Sequence, residues 1–469
     1  MDIKMLTIPQ VGADLRAKKY SAVDLCMQCV KNIEEKNSEL NAVLEIFSDW
    51  EIQAREADEK ISKGETSPMC GIPVIIKDNI LFIDHHVSAA SKILENYTAT
   101  YSATVIEKLR DAGAIILGRA NMDEFAMGSS TENSAYGVVK NPYDLERVAG
   151  GSSGGSAVCV SSGFCIASLG TDTAGSIRQP ASFCGVVGFK SSYGLTSRYG
   201  AIAMGNSLDQ IGPIAKTVED AEIVQGCIGG YDKKDANSVK EELKPKEKEI
   251  KVLGVPWNEI RKEGVNIEVL ENFENTVKKL ENAGYKIVDI SMPNMSYSLA
   301  AYYILMPAEV STNLSRFDGI RYGLRAEGEN LFDVYANTKA QGFGPETRRR
   351  VILGAYVLSH GYYDAYYRKA LLVRDLIKKE FNEAFKNVDA ILSPTAPTPA
   401  FKIGEKTKDP VAMYLSDIFT VPANIAGLPA ISIPNGFNKD GLPLDIHLVA
   451  DFGQDKSVFS FGKSFEGLQ

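Results

Sequence analysis

Two serines flanked by glycines, Ser152 and Ser176, lie in the surroundings that best suit nucleophilic catalysis in this chain. They are 24 residues apart, within the segments 150–156 and 172–178. A serine hydroxyl is a weak nucleophile until a base removes its proton, and histidine is the usual base. None of the four histidines lies between the two serines. A histidine that is distant in sequence could still be brought next to a serine by folding, and this alternative remains open. The local sequence indicates another base.

Lys77 is the alternative base. It follows the apolar run 72–76, which predicts a short buried strand. A lysine at the end of such a strand would be partly desolvated, which lowers its pKa and makes the neutral amine available. Ser152 would then relay the proton between Lys77 and Ser176. A lone lysine after a strand is more often a surface residue. Only the combination of Lys77 with the two glycine-flanked serines favours a buried base.

The residues just before Ser176 predict an oxyanion-binding loop. Thr173, Ala174 and Gly175 form a tight loop whose backbone N–H groups would point at a developing negative charge. Gly175 permits backbone conformations that other residues resist. Arg178 marks the start of a predicted helix, whose N-terminus also favours negative charge.

Helical and extended patterns alternate along the chain, which predicts an α/β fold around a mixed or parallel sheet. Ser21 and Asp24 form a capping-box pattern, and Ser102 is a predicted N-cap. The predicted helices are 21–36, 51–63, 102–112, 156–162, 267–283 and a long helical region at about 356–385, and the predicted strands are 40–47, 72–76, 114–117, 164–169, 252–255, 285–290 and 390–392.

Composition excludes several classes of protein. A net charge of −9 and a pI near 5.3 disfavour a nucleic-acid surface on this chain. No apolar run reaches the length of a membrane span, and no signal peptide is recognisable, so we expect a cytoplasmic protein without membrane contact. The seven scattered cysteines fit a reducing compartment. Cys26 and Cys29, three apart on a predicted helix, are more typical of core packing than of a metal or redox site.

Three motifs together resemble the amidase signature family: GIPVIIKDN at 71–79, GGSSGGS at 150–156 and DTAGSIR at 172–178. The resemblance implies a Ser–Ser–Lys triad with Ser176 as nucleophile, Ser152 as relay behind a cis peptide bond, and Lys77 as base. It also implies a single amidase-signature domain over 1–469, with a central mixed twisted sheet covered by helices on both faces. The charged stretch at about 232–251 is expected to be a surface linker within that domain.

Longer strings resemble one branch of the family, the glutaminase components of glutamyl-tRNA(Gln) amidotransferases. These strings are 121–134, 141–147, 207–213, 316–322 and 361–367. The resemblance implies hydrolysis of glutamine and transfer of the ammonia to Glu-tRNA(Gln). It implies partner B and C subunits in a heterotrimer, with ATP and Mg²⁺ in the B subunit, tRNA(Gln) bound mainly by that partner, and no metal or cofactor in this chain. The alternatives are a stand-alone amidase for small or aryl amides, and a non-catalytic protein that retains the fold.

Glutamine recognition requires a cation for the α-carboxylate and an anion for the α-ammonium. By motif match the resemblance assigns these roles to Arg350 and Asp417, with Tyr302 as a third contact. From the sequence alone, Arg350 is also compatible with a solvated helix face, and Asp417 with an N-cap.

Four features depart from the family pattern. Ala174 stands where the family usually has glycine in the oxyanion loop, and its methyl group is either silent or restricts φ. The segment 82–88, with His85 and His86, replaces a glycine-and-arginine hairpin; adjacent histidines without a third ligand are typical of a surface loop. The segment 444–447 replaces a more apolar strand, and by comparison with the family pattern we expect a shorter C-terminal region. These differences bear on activity and partner docking.

Overall fold

A computed structural model describes residues 1–240, 242, 245–262 and 264–469 of the chain. The strands within these residues are β1 (Val43–Ile46), β2 (Pro73–Lys77), β3 (Ile115–Ala120), β4 (Ala167–Asp172), β5 (Val187–Lys190), β6 (Gln210–Ala215), β7 (Val252–Val255), β8 (Lys286–Asp289), β9 (Ala390–Pro394), β10 (Ala430–Phe437) and β11 (Pro443–Ala450). They form one 11-stranded sheet in the order β1-β3-β2-β4-β6-β5-β10-β11-β9-β7-β8.

Helices flank this sheet. They are α1 (Ile8–Arg16), α2 (Ala22–Leu40), α3 (Trp50–Ser62), α4 (Thr104–Asp111), α5 (Gly154–Ser161), α6 (Arg178–Phe183), α7 (Val218–Ile228), α8 (Trp257–Ile260), α9 (Ile267–Asn282), α10 (Ser298–Asn313), α11 (Leu331–Gly342), α12 (Pro345–Leu358), α13 (Arg368–Ala384), α14 (Pro410–Tyr414), α15 (Val421–Ala426) and α16 (Asp455–Glu466). No helix in the described part of the chain is both long and apolar enough to cross a membrane.

The sheet is mixed, which confirms the predicted α/β class. β2 is parallel to β3 and to β4, whereas β4 pairs antiparallel with β6. The carboxyl ends of parallel neighbours meet at one edge of a sheet. Lys77 ends β2 and Asp172 ends β4, so both lie at the same edge of the sheet. The loop that carries Ser176 begins at this edge.

Strands from both sides of the charged 232–251 stretch belong to this one sheet, because β5, which precedes the stretch, pairs with β10, which follows it. Within that stretch, residues 241, 243 and 244 lie outside the described residues. Most of its other residues are exposed, whereas Asp232, Asp235 and Ile250 are buried. Asp235 forms a 2.7 Å ion pair with Arg198, which ties the start of the stretch to the body of the protein.

The structure corrects three predicted elements. Ser102 does not cap a helix: α4 begins at Thr104, and the Ser102 Oγ instead accepts the N–H of Ile83. The predicted strand 164–169 begins later, as β4, because a turn at Gly163 with φ of 71° separates α5 from it. The long helical region 356–385 is broken between α12 and α13, where Gly361 has φ of 85°.

Two other local predictions are confirmed, the capping box at the start of α2 and the core packing of Cys26 and Cys29. Ser21 and Asp24 form the capping box at the start of α2. Cys26 and Cys29 are completely buried on that helix and unpaired, consistent with core packing.

His85 stacks on the ring of Phe82 at 4.2 Å and is partly buried, whereas His86 is exposed. Among the described residues, no three histidine, cysteine or acidic side chains converge in a way that could hold a metal ion.

Candidate active site

Lys77 and Ser152 are in direct contact inside the protein. The Nζ of Lys77 lies 2.7 Å from the Oγ of Ser152, 2.8 Å from the Oγ of Ser153 and 3.3 Å from the carbonyl oxygen of Thr171. The side chains of Lys77 and Ser152 are fully buried. The peptide bond between Gly151 and Ser152 is cis, as the family resemblance implied.

The environment of Lys77 favours the neutral amine. Burial lowers its pKa to about 7, and the negative charges of Asp123, Asp172 and Asp209 offset part of that effect. An amine with this pKa is substantially unprotonated near neutral pH and can accept a proton from Ser152. The sequence prediction of a desolvated lysine is confirmed.

A backbone hydrogen bond links the segment that contains Ser152 to the segment that contains Ser176. The N–H of Ser153 donates to the carbonyl oxygen of Ser176 at 3.0 Å. Ser176 is 7% exposed, whereas Ser152 and Lys77 are completely enclosed. The order of accessibility fits a nucleophile that faces the substrate and a relay and base behind it.

Asp172 holds the loop around Ser176. One of its carboxylate oxygens accepts the N–H of Gly175 at 2.8 Å, and the other accepts the N–H of Ile177 at 3.2 Å. Arg178 donates to both oxygens, each at 3.0 Å. Burial by itself would raise the pKa of Asp172, but the charge and hydrogen bonds of Arg178 hold it well below its usual range. The carboxylate therefore stays charged and fixes the residues on both sides of the serine.

This arrangement reduces the number of N–H groups in the predicted loop that are available to bind an oxyanion. The N–H of Gly175 donates to Asp172 and is therefore not a free donor for an oxyanion. Within the described residues, the N–H groups of Thr173 and Ala174 donate to no protein acceptor. These two groups are the remaining donors of the predicted set. Gly175 has φ of 135°, and a methyl group there would clash with Thr420 at 2.2 Å, so its role is to shape the loop.

Ala174 does not impose backbone strain. It is absent from the described non-glycine residues with positive φ, so its methyl group is compatible with the loop conformation. Its carbonyl oxygen accepts a hydrogen bond from the Thr420 Oγ1 at 2.6 Å. The departure from glycine at this position is therefore accommodated.

Asp417 is buried and has a free carboxylate oxygen. One oxygen is hydrogen-bonded by the hydroxyl of Ser129, and the other has no partner among the described residues. Burial raises the pKa of Asp417 to about 7, although Ser129 lowers it somewhat. An unpartnered buried carboxylate oxygen is costly unless a ligand satisfies it. Asp417 is therefore not a simple helix N-cap, and its geometry suits a cationic group of a substrate.

Arg350 is 2% exposed, which excludes a solvated helix face. Its Nε donates to Glu346 at 2.7 Å, and its Nη2 donates to the carbonyl oxygen of Gly128 at 2.9 Å. The guanidinium lies 5.3 Å from the ring centre of Tyr303 and 5.4 Å from that of Tyr414. These contacts hold the guanidinium plane in one orientation.

Tyr302 is buried and packs edge-on against Tyr303, with ring centres 4.9 Å apart. Of these two neighbouring tyrosines, it is Tyr303 whose ring lies against Arg350, and the sequence prediction did not select it. The prediction also missed Ser129 and Glu346. Ser129 lies within the 121–134 string and was therefore recoverable, whereas the position of Glu346 one helical turn before Arg350 was the only signal for that ion pair.

The predicted substrate residues and the serine loop belong to one site. Arg350 binds Gly128, and Asp417 binds the adjacent Ser129. Thr420 donates to the carbonyl oxygen of Asp417 at 3.1 Å as well as to that of Ala174 at 2.6 Å. An adjoining cavity of about 230 Å³ is open to solvent. Its lining includes Gly128, Ser130, Glu346, Lys406 and Tyr414.

Comparisons with known proteins agree with this geometry. The amidase family model matches residues 24–459. The chain is 46% identical to the A subunit of the glutamyl-tRNA(Gln) amidotransferase from Desulfatibacillum aliphaticivorans, over 99% of this chain and 98% of that protein. It is 49% identical to the protein of the same name from Thermoanaerobacter pseudethanolicus, over 99% and 97% respectively.

A crystal structure of the A subunit of the glutamyl-tRNA(Gln) amidotransferase from Thermotoga maritima superposes with a TM-score of 0.79 at 41% identity, and the match covers 98% of this chain and 94% of that one. The family match spans the lysine, both serines and the residues around Arg350 and Asp417. The chain therefore belongs to the amidase family.

Proposed function

We propose that the chain is the glutaminase subunit of a tRNA-dependent amidotransferase. The observation that carries the proposal is one buried site that combines a low-pKa lysine on Ser152 with a fixed Arg350 and a half-paired Asp417. The first part suits acyl transfer, and the second suits the two charged ends of an α-amino acid. The name shared by the relatives from three organisms supports glutamine as that amino acid.

The reaction begins with the transfer of a proton from Ser176 to Ser152 and from Ser152 to Lys77. The Ser176 Oγ attacks the side-chain carboxamide carbon of glutamine, and the N–H groups of Thr173 and Ala174 stabilise the oxyanion. The C–N bond then breaks, and the leaving nitrogen takes the proton back from Lys77 through Ser152. Ammonia and a γ-glutamyl ester on Ser176 result. Water, deprotonated by the same relay, hydrolyses the ester to glutamate and restores the serine.

Recognition of glutamine follows from the two charged residues. The guanidinium of Arg350 has donors left for the α-carboxylate. Glu346 and Gly128 accept from Nε and Nη2, and Nη1 makes a 4.0 Å contact with the Sδ of Met306, a weak acceptor. The free oxygen of Asp417 accepts a hydrogen bond from the α-ammonium. The ammonium also lowers the pKa of Asp417, because it favours the charged carboxylate.

The proposal includes partners. Ammonia has a use only where an acceptor is activated, and the motifs of this chain indicate acyl transfer rather than ATP chemistry. We place ATP and Mg²⁺ in a B subunit that activates Glu-tRNA(Gln), with a C subunit completing a cytoplasmic heterotrimer. The net charge of −9 agrees with tRNA binding mainly to the partner.

The decisive experiment assays the chain together with its B and C subunits, with glutamine, ATP, Mg²⁺ and Glu-tRNA(Gln). Formation of Gln-tRNA(Gln) that is lost in Ser176→Ala supports the proposal. Mass spectrometry of the quenched reaction should show a γ-glutamyl adduct on Ser176. The alternative, a stand-alone amidase, would be supported if the chain alone hydrolysed small or aryl amides, did not hydrolyse glutamine, and kept its activity in Arg350→Ala.

A further inference from the structure

We infer that His447 is a positioning residue for the loop that carries the nucleophile. This inference rests on the proposed role of Ser176. His447 lies on β11, in the segment 444–447 that departs from the family pattern, and is completely buried. Its ring acts on the loop through Arg178 and Asp172.

The hydrogen bonds of His447 determine its tautomer. Its Nε2 lies 2.8 Å from the Nη1 of Arg178, and its Nδ1 lies 3.4 Å from the Oγ of Ser393. A guanidinium has only donors, so the Nε2 must be the acceptor and must carry no proton. The proton is therefore on Nδ1, which donates to Ser393. Burial and the charge of Arg178 lower the pKa of His447 well below its usual range, which keeps the ring neutral.

His447 supplies the acceptor that completes the hydrogen bonding of Arg178. The Nε and one Nη2 hydrogen bind Asp172 at 3.0 Å each, and the second Nη2 hydrogen binds Asn424 at 2.6 Å. The two Nη1 hydrogens bind the carbonyl oxygen of Thr420 at 3.1 Å and His447 at 2.8 Å. All five donors of a fully buried guanidinium thus have an acceptor, and its orientation is fixed.

The fixed guanidinium determines where Asp172 can lie. Asp172 in turn binds the N–H groups of Gly175 and Ile177, the two residues beside Ser176. If the ring of His447 is removed, one donor of Arg178 is left without an acceptor in a buried site. Arg178 can then rotate toward another acceptor and carry Asp172 and the serine loop with it. Small displacements of a nucleophile reduce the rate of attack strongly.

The test compares four variants in the assembled complex. His447→Leu removes the acceptor, and His447→Asn keeps a polar side chain that is too short to reach the position of Nε2. His447→Gln places an amide oxygen near that position. Leu448→Val, next on the same strand and equally buried, is a control for loss of core packing.

We expect kcat for glutamine to fall about 100-fold in His447→Leu and in His447→Asn, with KM nearly unchanged because Arg350 and Asp417 are untouched. His447→Gln should recover most of kcat, and Leu448→Val should retain it. The rate at which a sulfonyl fluoride labels Ser176 should follow the same order. His447→Asn keeps the test valid if His447→Leu does not fold.

Wild-type kcat in His447→Asn, or a loss in His447→Gln as large as in His447→Asn, would overturn the inference. Failure of the proposed function is a separate result, since it would show as wild-type protein that does not hydrolyse glutamine. In that case the sulfonyl fluoride rates still report whether His447 positions Ser176.

Discussion

The Nζ of Lys77 and the Oγ of Ser152 lie 2.7 Å apart in a fully enclosed part of the protein. The distance is that of a strong hydrogen bond. Because burial lowers the pKa of the lysine to about 7, this contact is suited to moving a proton in either direction near neutral pH. The first two predictions depend on it.

Lys77→Ala and Lys77→Arg should both lose glutaminase activity, by about 10³-fold or more in kcat. Alanine removes the base. Arginine keeps its proton at any working pH and therefore cannot accept one from Ser152. Steady-state kinetics of the complex measures the effect. Lys279→Ala, at an exposed position on α9, is the control and should be unchanged. Retention of activity in Lys77→Arg would mean that this position does not act as a base.

Activity should fall as pH is lowered through about 7, since Lys77 becomes protonated below its pKa and can no longer accept a proton. Burial also raises the pKa of Asp417 to about 7 when no substrate is bound. Its protonation removes the anion that binds the substrate ammonium, so KM should rise over the same range. A pH profile of kcat and of KM separates the two effects. A kcat that is flat from pH 6 to 8 would contradict the assignment of Lys77.

Asp417→Asn should raise KM for glutamine by about 10- to 100-fold, which corresponds to the loss of one charge-assisted hydrogen bond. The amide keeps the shape of the side chain but cannot neutralise an ammonium. The rise of KM at low pH should also disappear in this variant. Asp440→Asn, on the exposed turn before β11, is the matched control. A decrease in kcat with unchanged KM would instead place Asp417 among the groups that support the serine loop.

Ala174→Gly should change kcat by no more than about threefold, because the backbone N–H is present in both and Ala174 does not have positive φ. Kinetics at saturating glutamine measures this directly. A large gain in kcat would show that the methyl group misaligns the oxyanion donors. In that case the departure from the family pattern would be a true impairment.

The Gly175→Ala variant provides the contrast. Gly175 has φ of 135°, and a methyl group there would lie 2.2 Å from the Thr420 Oγ1. We expect kcat to fall about 10²-fold, because the loop must shift around Ser176. Thermal unfolding should show whether the fold is retained. Equal activities of Gly175→Ala and Ala174→Gly would contradict the different roles assigned to these neighbours.

The sequence by itself predicted much of this protein. The apolar run before Lys77 predicted a buried strand and a desolvated amine, and both are present. The glycine-flanked serines identified the two segments that the fold brings together. These predictions succeed because they depend on local chemistry, such as the burial of an apolar run or the backbone freedom of glycine. The roles of the three residues in catalysis remain predictions until they are tested.

The tertiary structure decided what the residues contact. Asp172 accepts the hydrogen bond of the Gly175 N–H, which is then not available to an oxyanion. Tyr303 rather than Tyr302 lies against Arg350. His447 reaches Arg178 from a strand 269 positions later in the chain. Such contacts join side chains that are distant in sequence, and their hydrogen bonds depend on distances and angles that only the packed sheet and helices set. Residue types and local spacing therefore determined the chemistry that is available, and the fold determined which donors and acceptors meet.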